Sequence, residues 1–243
     1  MMQKQPQFHI LLIQVLRYKF SRLVLSAVLL FVSSSFVAQE PSKYSGEGAI
    51  PEAVVIVESQ TNVLLDTLSS RKVEFDQDPN LLIDFARDVA LTHWDITRAS
   101  RMILGPHWRR ADAEERAGFE QEFLRTLLRY VVKAYGYYDD RLLEVIDYQW
   151  QPKRKGGWVL SKIEIPGGVN VAVDYRMSYS KKSKQWRLID VRVEGISLIS
   201  VKKSEFRQIA SKSGIKALIE HMSDKNRTVL KQPSALEVAT NNN

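Results

Sequence analysis

Residues able to do chemistry are few and scattered in this chain of 243 residues. Past residue 38 only His93, His107 and His221 offer imidazole, no two of them at helical ligand spacing, and the chain has no cysteine. Metal centres draw on clustered imidazole, thiolate and carboxylate, so none is expected. Gly195-Ile196-Ser197 is not the glycine-flanked elbow of a serine hydrolase, because Ser197 sits inside a strand pattern with no strand-to-helix turn after it. The glycine pairs at 156 and 167 lack the lysine and following helix of a phosphate loop. Asp174 and Glu194 occupy the polar positions of alternating strands, where solvation is a simpler role than acid–base work. Nothing in this inventory demands catalysis.

Charge is the other available chemistry. Lys153, Arg154 and Lys155, and Lys181, Lys182 and Lys184, fall on two hairpin turns. They suit solvated turns, and their functional alternative is docking to an acidic partner or to lipid headgroups, worth about 1 kcal/mol per residue near an anionic membrane. The overall charge of +7 is partly a targeting effect. Lys4, Arg17, Lys19 and Arg22 precede an apolar run from Leu23 to Val32 and a small-residue end at Ser33–Ser35 and Ala38. That pattern predicts a secretory signal peptide over residues 1–38, with an uncleaved anchor as the alternative if Ile10–Leu16 joins the apolar run. Its loss lowers the net charge to +3, since four basic and no acidic residues leave. Nucleic-acid binding, which needs basic residues gathered on one face, is not expected. An exported chain without cysteine must be held by its core, which residues 52–225 are numerous enough to supply.

The elements that must position these groups follow from hydrophobic period. Residues 39–51, with Pro41, Gly46, Gly48 and Pro51, read as a flexible lead. A helix begins at Glu52, with Val55, Val63, Leu64 and Leu68 as core contacts. Asp76–Asn80 is a turn, and Pro79 starts a second helix to Trp94 on a stripe of Leu81, Leu82, Phe85, Val89 and Leu91. A short helix over Asp95–Leu104 stops at Gly105-Pro106. Asp112–Tyr135 is the strongest helix, capped by Asp112 and Glu115, with Phe119, Phe123, Leu127, Val131 and Tyr135 at every fourth position.

Beyond it the period drops to two. Ile146, Tyr148 and Trp150 share one strand face; Val159, Ile163 and Ile165 a second; Val169 to Tyr179 a third; and Ile189, Val191 and Val193 a fourth, alternating with Asp190, Arg192 and Glu194. Short turns make this an antiparallel meander, and Gly195 should bend the last strand and re-aim Ile196 and Leu198. Two short helices near Lys202–Ala210 and Gly214–Met222 close the domain, and residues 226–243 read as a loose tail. The expected fold is α+β, with helices on one face of a curved antiparallel sheet of about four strands.

Asp95 to Trp108 with Ser100, Leu104-Gly105 and Trp108, then Phe119, Phe123 and Leu127, then Trp186, Asp190, Glu194-Gly195 and Ser197, together resemble the Mla-pathway periplasmic phospholipid-binding proteins, also called toluene-tolerance auxiliary components of lipid ABC transporters. The likeness spans roughly residues 52–225. It implies a periplasmic carrier, not an enzyme and without a cofactor, that moves phospholipid between an inner-membrane ABC transporter and an outer-membrane lipoprotein complex. It also implies a cavity between helices and sheet for the acyl tails, with the headgroup outside. On that reading the wall is Ile146, Ile163, Val173, Tyr175, Val191 and Val193 of the sheet facing Val131 and Tyr135 of the long helix, although the same residues suit ordinary core. Trp186, Asp190 and Gly195 take structural roles. Two other classes stay open: a lipid-free adaptor of an envelope complex, and an enzyme on a cone-shaped α+β fold.

Overall fold

The computed structural model describes residues 52–135, 143–151, 156–165 and 169–230. The expected signal peptide, the lead over 39–51, the basic turn at Lys153, Arg154 and Lys155, the turn at Gly167-Gly168 and the tail past 230 lie outside the described residues. Among the described residues no helix is long and apolar enough to cross a membrane.

Six helices come first: α1 (Glu52–Ser70), α2 (Lys72–Gln77), α3 (Pro79–His93), α4 (Ile96–Leu104), α5 (Pro106–Arg110) and α6 (Ala113–Tyr135). The starts of α3, α4 and α6 are set by side-chain caps, which satisfy amide groups that a helix leaves unpaired at its N-terminus. Asp78 accepts from the Asn80 amide ahead of Pro79, and Asp95 from the Arg98 amide, both at 2.9 Å. Asp112 and Glu115 form the reciprocal box, at 2.8 and 3.1 Å. Gly105, at φ +56°, ends α4 and opens α5 rather than a loop, and α2 occupies part of the expected turn at 76–80.

Two stripes are narrower than expected. Val55 and Val63 on α1, and Leu81 and Leu91 on α3, are exposed, whereas Val54, Val57, Leu64, Leu65 and Leu68, and Leu82, Ala86, Val89 and Ala90, are buried. Each buried set keeps to one face, and the exposed residues sit beside it on the same turns.

The meander follows as β1 (Leu143–Gln151), β2 (Gly156–Ile165), β3 (Val169–Ser180), β4 (Gln185–Val193) and β5 (Ile196–Ser197), antiparallel and in sequence order. The fifth, two-residue strand arises because Glu194 and Gly195 both take positive φ, 50° and 77°, and fold the chain back on β4 instead of merely bending it. Two irregularities shift the strand parity. Val145 pairs with Ser161 and Asp147 with Leu160, leaving Ile146 as an extra bulged residue. Arg176 pairs with Asp190 and Met177 with Leu188, leaving Ile189 as the second. The apolar row of β4 is therefore Trp186, Leu188, Val191 and Val193, and Ile189 points the other way.

The last element, α7 (Leu198–Leu230), consists of the two helices expected at the end, divided by a kink at Gly214, where φ is 83°. It runs past the expected tail boundary: Asn226 is 1% exposed and donates to the Glu122 backbone and carboxylate at 2.9 Å. A polar partner on α6 is what extends the folded region. Across the Gly214 kink Lys202 from the first half and Lys225 from the second clasp Glu205 at 2.7 and 3.0 Å.

Gly157 lies flat against β1: a Cβ there would sit 2.2 Å from the Gln149 carbonyl oxygen. Gly157→Ala should lower stability by about 1–3 kcal/mol in urea unfolding, the usual cost of overpacking. Burial alone would raise the Glu205 carboxyl, but the Lys202 ammonium and Lys225 hold it down at about 2, against 4.5 in a free chain. Its contribution is full above the free-chain value and fades as pH falls toward the depressed one. The stability gap between wild type and Glu205→Gln, measured by urea unfolding at stepped pH, should thus shrink over that acid range by on the order of 3 kcal/mol.

Candidate functional site

Residues directly opposite in neighbouring strands share a face, so the register defines one apolar wall. It consists of Leu143, Val145, Tyr148 and Trp150 on β1; Val159, Ser161 and Ile163 on β2; Val171, Val173, Tyr175, Met177 and Tyr179 on β3; and Trp186, Leu188, Val191 and Val193 on β4. Five of the expected wall residues, Ile163, Val173, Tyr175, Val191 and Val193, come together here. Ile146 does not: the bulge turns it out of the row and leaves it 49% exposed.

Helix α1 crosses this wall and packs on β1 and β2, while α3, α4 and α7 pack on β4. The crossing is pinned at both sides of the sheet. Trp186 donates its indole N–H to Glu52 at 3.0 Å, and the Leu143 amide donates to Asn62 at 3.1 Å. Midway, the wholly buried Tyr175 sets its hydroxyl beside Thr61, and burial pushes its ionisation well above the usual phenol range. It stays a neutral phenol.

The long helix packs on α3, α4 and α7. Val131 belongs to the same continuous core as the wall, but Tyr135 turns to α2, where its hydroxyl donates toward the Lys72 carbonyl and the Asp76 carboxylate at 3.1 and 3.0 Å and its ring meets Phe75 edge-on. The cover sequence reading missed is α1 itself. Its signal was legible: Val54, Val57, Thr61, Leu64, Leu65 and Leu68 recur at threes and fours.

Polar groups on the wall are few and neutral. Ser161 is buried and donates to the Val173 carbonyl. At one end Trp150, Tyr179 and Trp186 form a half-buried aromatic cluster, with centroids 5.1 and 5.3 Å apart, beside the exposed Lys181–Lys184 turn. With Val173, Tyr175, Val191 and Val131 at 2% exposure or less, wall and helices meet directly.

The opposite face is not the solvated surface parity suggests. Asp174 is buried against Arg192, whose guanidinium also lies 4.4 Å from the centre of the Trp158 ring. Asp190 is buried too. It accepts from the Ser197 hydroxyl at 2.6 Å and the Ile199 amide at 3.1 Å, while the Ser200 amide donates to Ser197. A helix does follow Ser197, contrary to the strand reading, and both side chains serve as its N-terminal cap. No grouping of His, Cys, Asp and Glu able to hold a metal occurs among the described residues.

Three comparisons bear on this arrangement. The family model described as MlaC protein matches residues 58–224. The intermembrane phospholipid transport system binding protein MlaC of Haemophilus influenzae is 21% identical over 169 residues, 69% of this chain and 79% of that protein. A solved structure of the phospholipid-binding protein from Ralstonia solanacearum, in complex with a phospholipid, superposes with a TM-score of 0.65 at 20% identity, covering 75% of this chain and 99% of that one.

Burial pushes the Asp190 carboxyl above the usual carboxylate range, and the Ser197 and Ile199 hydrogen bonds only partly offset it. Asp190→Ala should cost about 1–3 kcal/mol in chemical unfolding, because it strands a half-buried hydroxyl and a buried amide at the start of α7.

Proposed function

The chain belongs to the MlaC protein family, and from that premise we propose that it is a periplasmic phospholipid carrier whose acyl tails lodge between the β1–β4 wall and its helical cover. A member of this family is a lipid carrier and not an enzyme. The observation that carries the proposal is the wall itself: an apolar face across four strands whose few polar side chains are neutral, the buried Ser161 among them already bonded to a backbone carbonyl. Tails need nothing else. Each CH₂ removed from water gains about 0.8 kcal/mol, and a bilayer offers the same gain. A carrier therefore has only to match the bilayer, and it can release cargo without chemistry.

Loading exchanges one set of apolar contacts for another. Because the wall residues already meet the helices, tails enter only as α1 and its neighbours separate from Val173, Tyr175, Val191 and Val193. Dispersion and burial lost between side chains are regained against the acyl chains, which keeps the net cost small. The hydrogen bonds from Trp186 to Glu52 and from Leu143 to Asn62 are the attachments such a movement strains. Delivery then runs between an inner-membrane lipid ABC transporter and an outer-membrane lipoprotein complex, maintaining the lipid asymmetry of the outer membrane.

The same close packing favours a second reading, in which the core is permanently filled and the protein is a lipid-free envelope adaptor. One experiment separates them. The protein is purified from the periplasm without detergent and examined by native mass spectrometry and lipid extraction. The carrier reading expects a stoichiometric phospholipid, and Val173→Trp, which places a large ring on the wall, should lower its occupancy severalfold while circular dichroism stays unchanged. A folded wild type with no lipid in either assay sinks the carrier reading, and full occupancy in the variant removes Val173 from the wall.

A further inference from the structure

At the corner where α4, α5 and α6 meet, Arg101, Gly105, Pro106, Trp108, Arg109 and Arg116, none of them a residue of the apolar wall, line an open cleft of about 620 Å³. Trp108 is its buried floor. The Arg101 and Arg116 guanidinium carbons lie 5.8 and 5.5 Å from the centre of its ring, and the Arg116 Nε donates to the Trp108 carbonyl at 3.0 Å. Among the described residues none of these three arginines has a carboxylate within ion-pair distance. Arg71, Arg87, Arg125, Arg192 and Arg227, by contrast, each have an acidic partner within ion-pair distance.

Gathering like charges around one concavity raises a positive potential that a ring face only partly offsets. An anion completes the arrangement. Guanidinium forks match oxyanions two bonds at a time, and a tetrahedral phosphate presents several oxygens in different directions, so it can engage converging forks where one carboxylate saturates a single fork. We propose that the Arg101–Arg109–Arg116 cleft over Trp108 is a phosphate-binding site, separate from the cargo wall. A phospholipid headgroup at a bilayer surface and a soluble phosphate share this chemistry.

The fold supports such a site mechanically. Arg116 is fixed by its bond to the Trp108 backbone, and Gly105 sits on the rim with nothing within 4 Å of where a Cβ would be. Arg101 and Arg109 are exposed and able to close on an arriving anion.

The test uses two probes on the purified protein. Inorganic phosphate is titrated while the arginine Nε–H and tryptophan indole resonances are followed by NMR. Separately, co-sedimentation is measured with phosphatidylcholine vesicles with and without phosphatidylglycerol. Phosphate should shift the Arg101, Arg109 and Arg116 signals together with the Trp108 indole. Arg101→Gln/Arg109→Gln should weaken the response about tenfold or more, as expected for loss of charged hydrogen bonds. Phosphatidylglycerol-dependent sedimentation lost in the same variant identifies a bilayer headgroup as the source; a phosphate response alone identifies a soluble one. Either supports the site. Shifts confined to the Lys181–Lys184 turn, responses unchanged in the variant, or binding to poly-glutamate without any to phosphate or vesicles overturns it. The wild-type shift map decides even if the variant misfolds. Co-purified lipid is scored in parallel, so an empty wall with a responding cleft refutes the carrier reading and leaves this one standing.

Discussion

The apolar row that β1 to β4 turn to one side, from Leu143 across to Val193, must be covered, and most of the architecture follows from how it is covered. A sheet with one such face is unstable in water until a second layer removes that face from solvent. Here α1 crosses β1 and β2, and α3, α4 and α7 close over β4. The long helix α6 packs behind them against α3, α4 and α7. Phe119 and Phe123 stack there, and Trp94, just past the end of α3, and Phe206 of α7 reach them edge-on.

Polar contacts then choose one arrangement among the many that would bury the same area. The Asp95 amide donates to the Leu188 carbonyl, tying the start of α4 to β4. Asp190 anchors the start of α7, and Asn226 and Glu122 lock its far end to α6. Buried hydrogen-bonded groups of this kind contribute little net stability but are costly to break, so they specify register more than they add free energy. Specificity sits in the helical layer and at the sheet's opposite face, while the wall under α1 holds few polar groups. That division suits a surface whose contacts must be exchangeable: apolar contacts can be replaced by acyl chains, whereas a broken polar network would leave unsatisfied groups.

The arginine cleft and the apolar wall embody opposite physics on one domain. On the proposed reading the wall takes up apolar area without direction. The cleft recognises charge and geometry, and its strength falls with salt. A carrier that approaches a charged membrane surface and holds uncharged tails, as proposed, has use for both, and the two share no residue: the cleft lies on α4–α6 and the wall on β1–β4.

Much of this was readable in the residues. The stripe from Phe119 to Tyr135, the Asp112–Glu115 cap, the Pro79 start, the break at Gly214 and the order of the strands are local matters, set by period and backbone preference within a few residues. What the chain alone left undecided were the places where distant partners outweigh local pattern. Ile146 and Ile189 look like members of their rows until pairing with β2 and β3 inserts bulges, each of which changes the parity of everything beyond it. Asp190 and Asp174 look solvated until α7 and Arg192 bury them. Tyr135 looks like wall until Asp76 claims its hydroxyl, and Asn226 looks like tail until Glu122 extends the helix around it. The sequence by itself determined most of the elements, the α+β class and the family, because these depend on short-range period and on motif order. Only the tertiary structure decided which rows point inward and which arginines converge on Trp108, because strand register and helix placement are set by contacts dozens of residues apart.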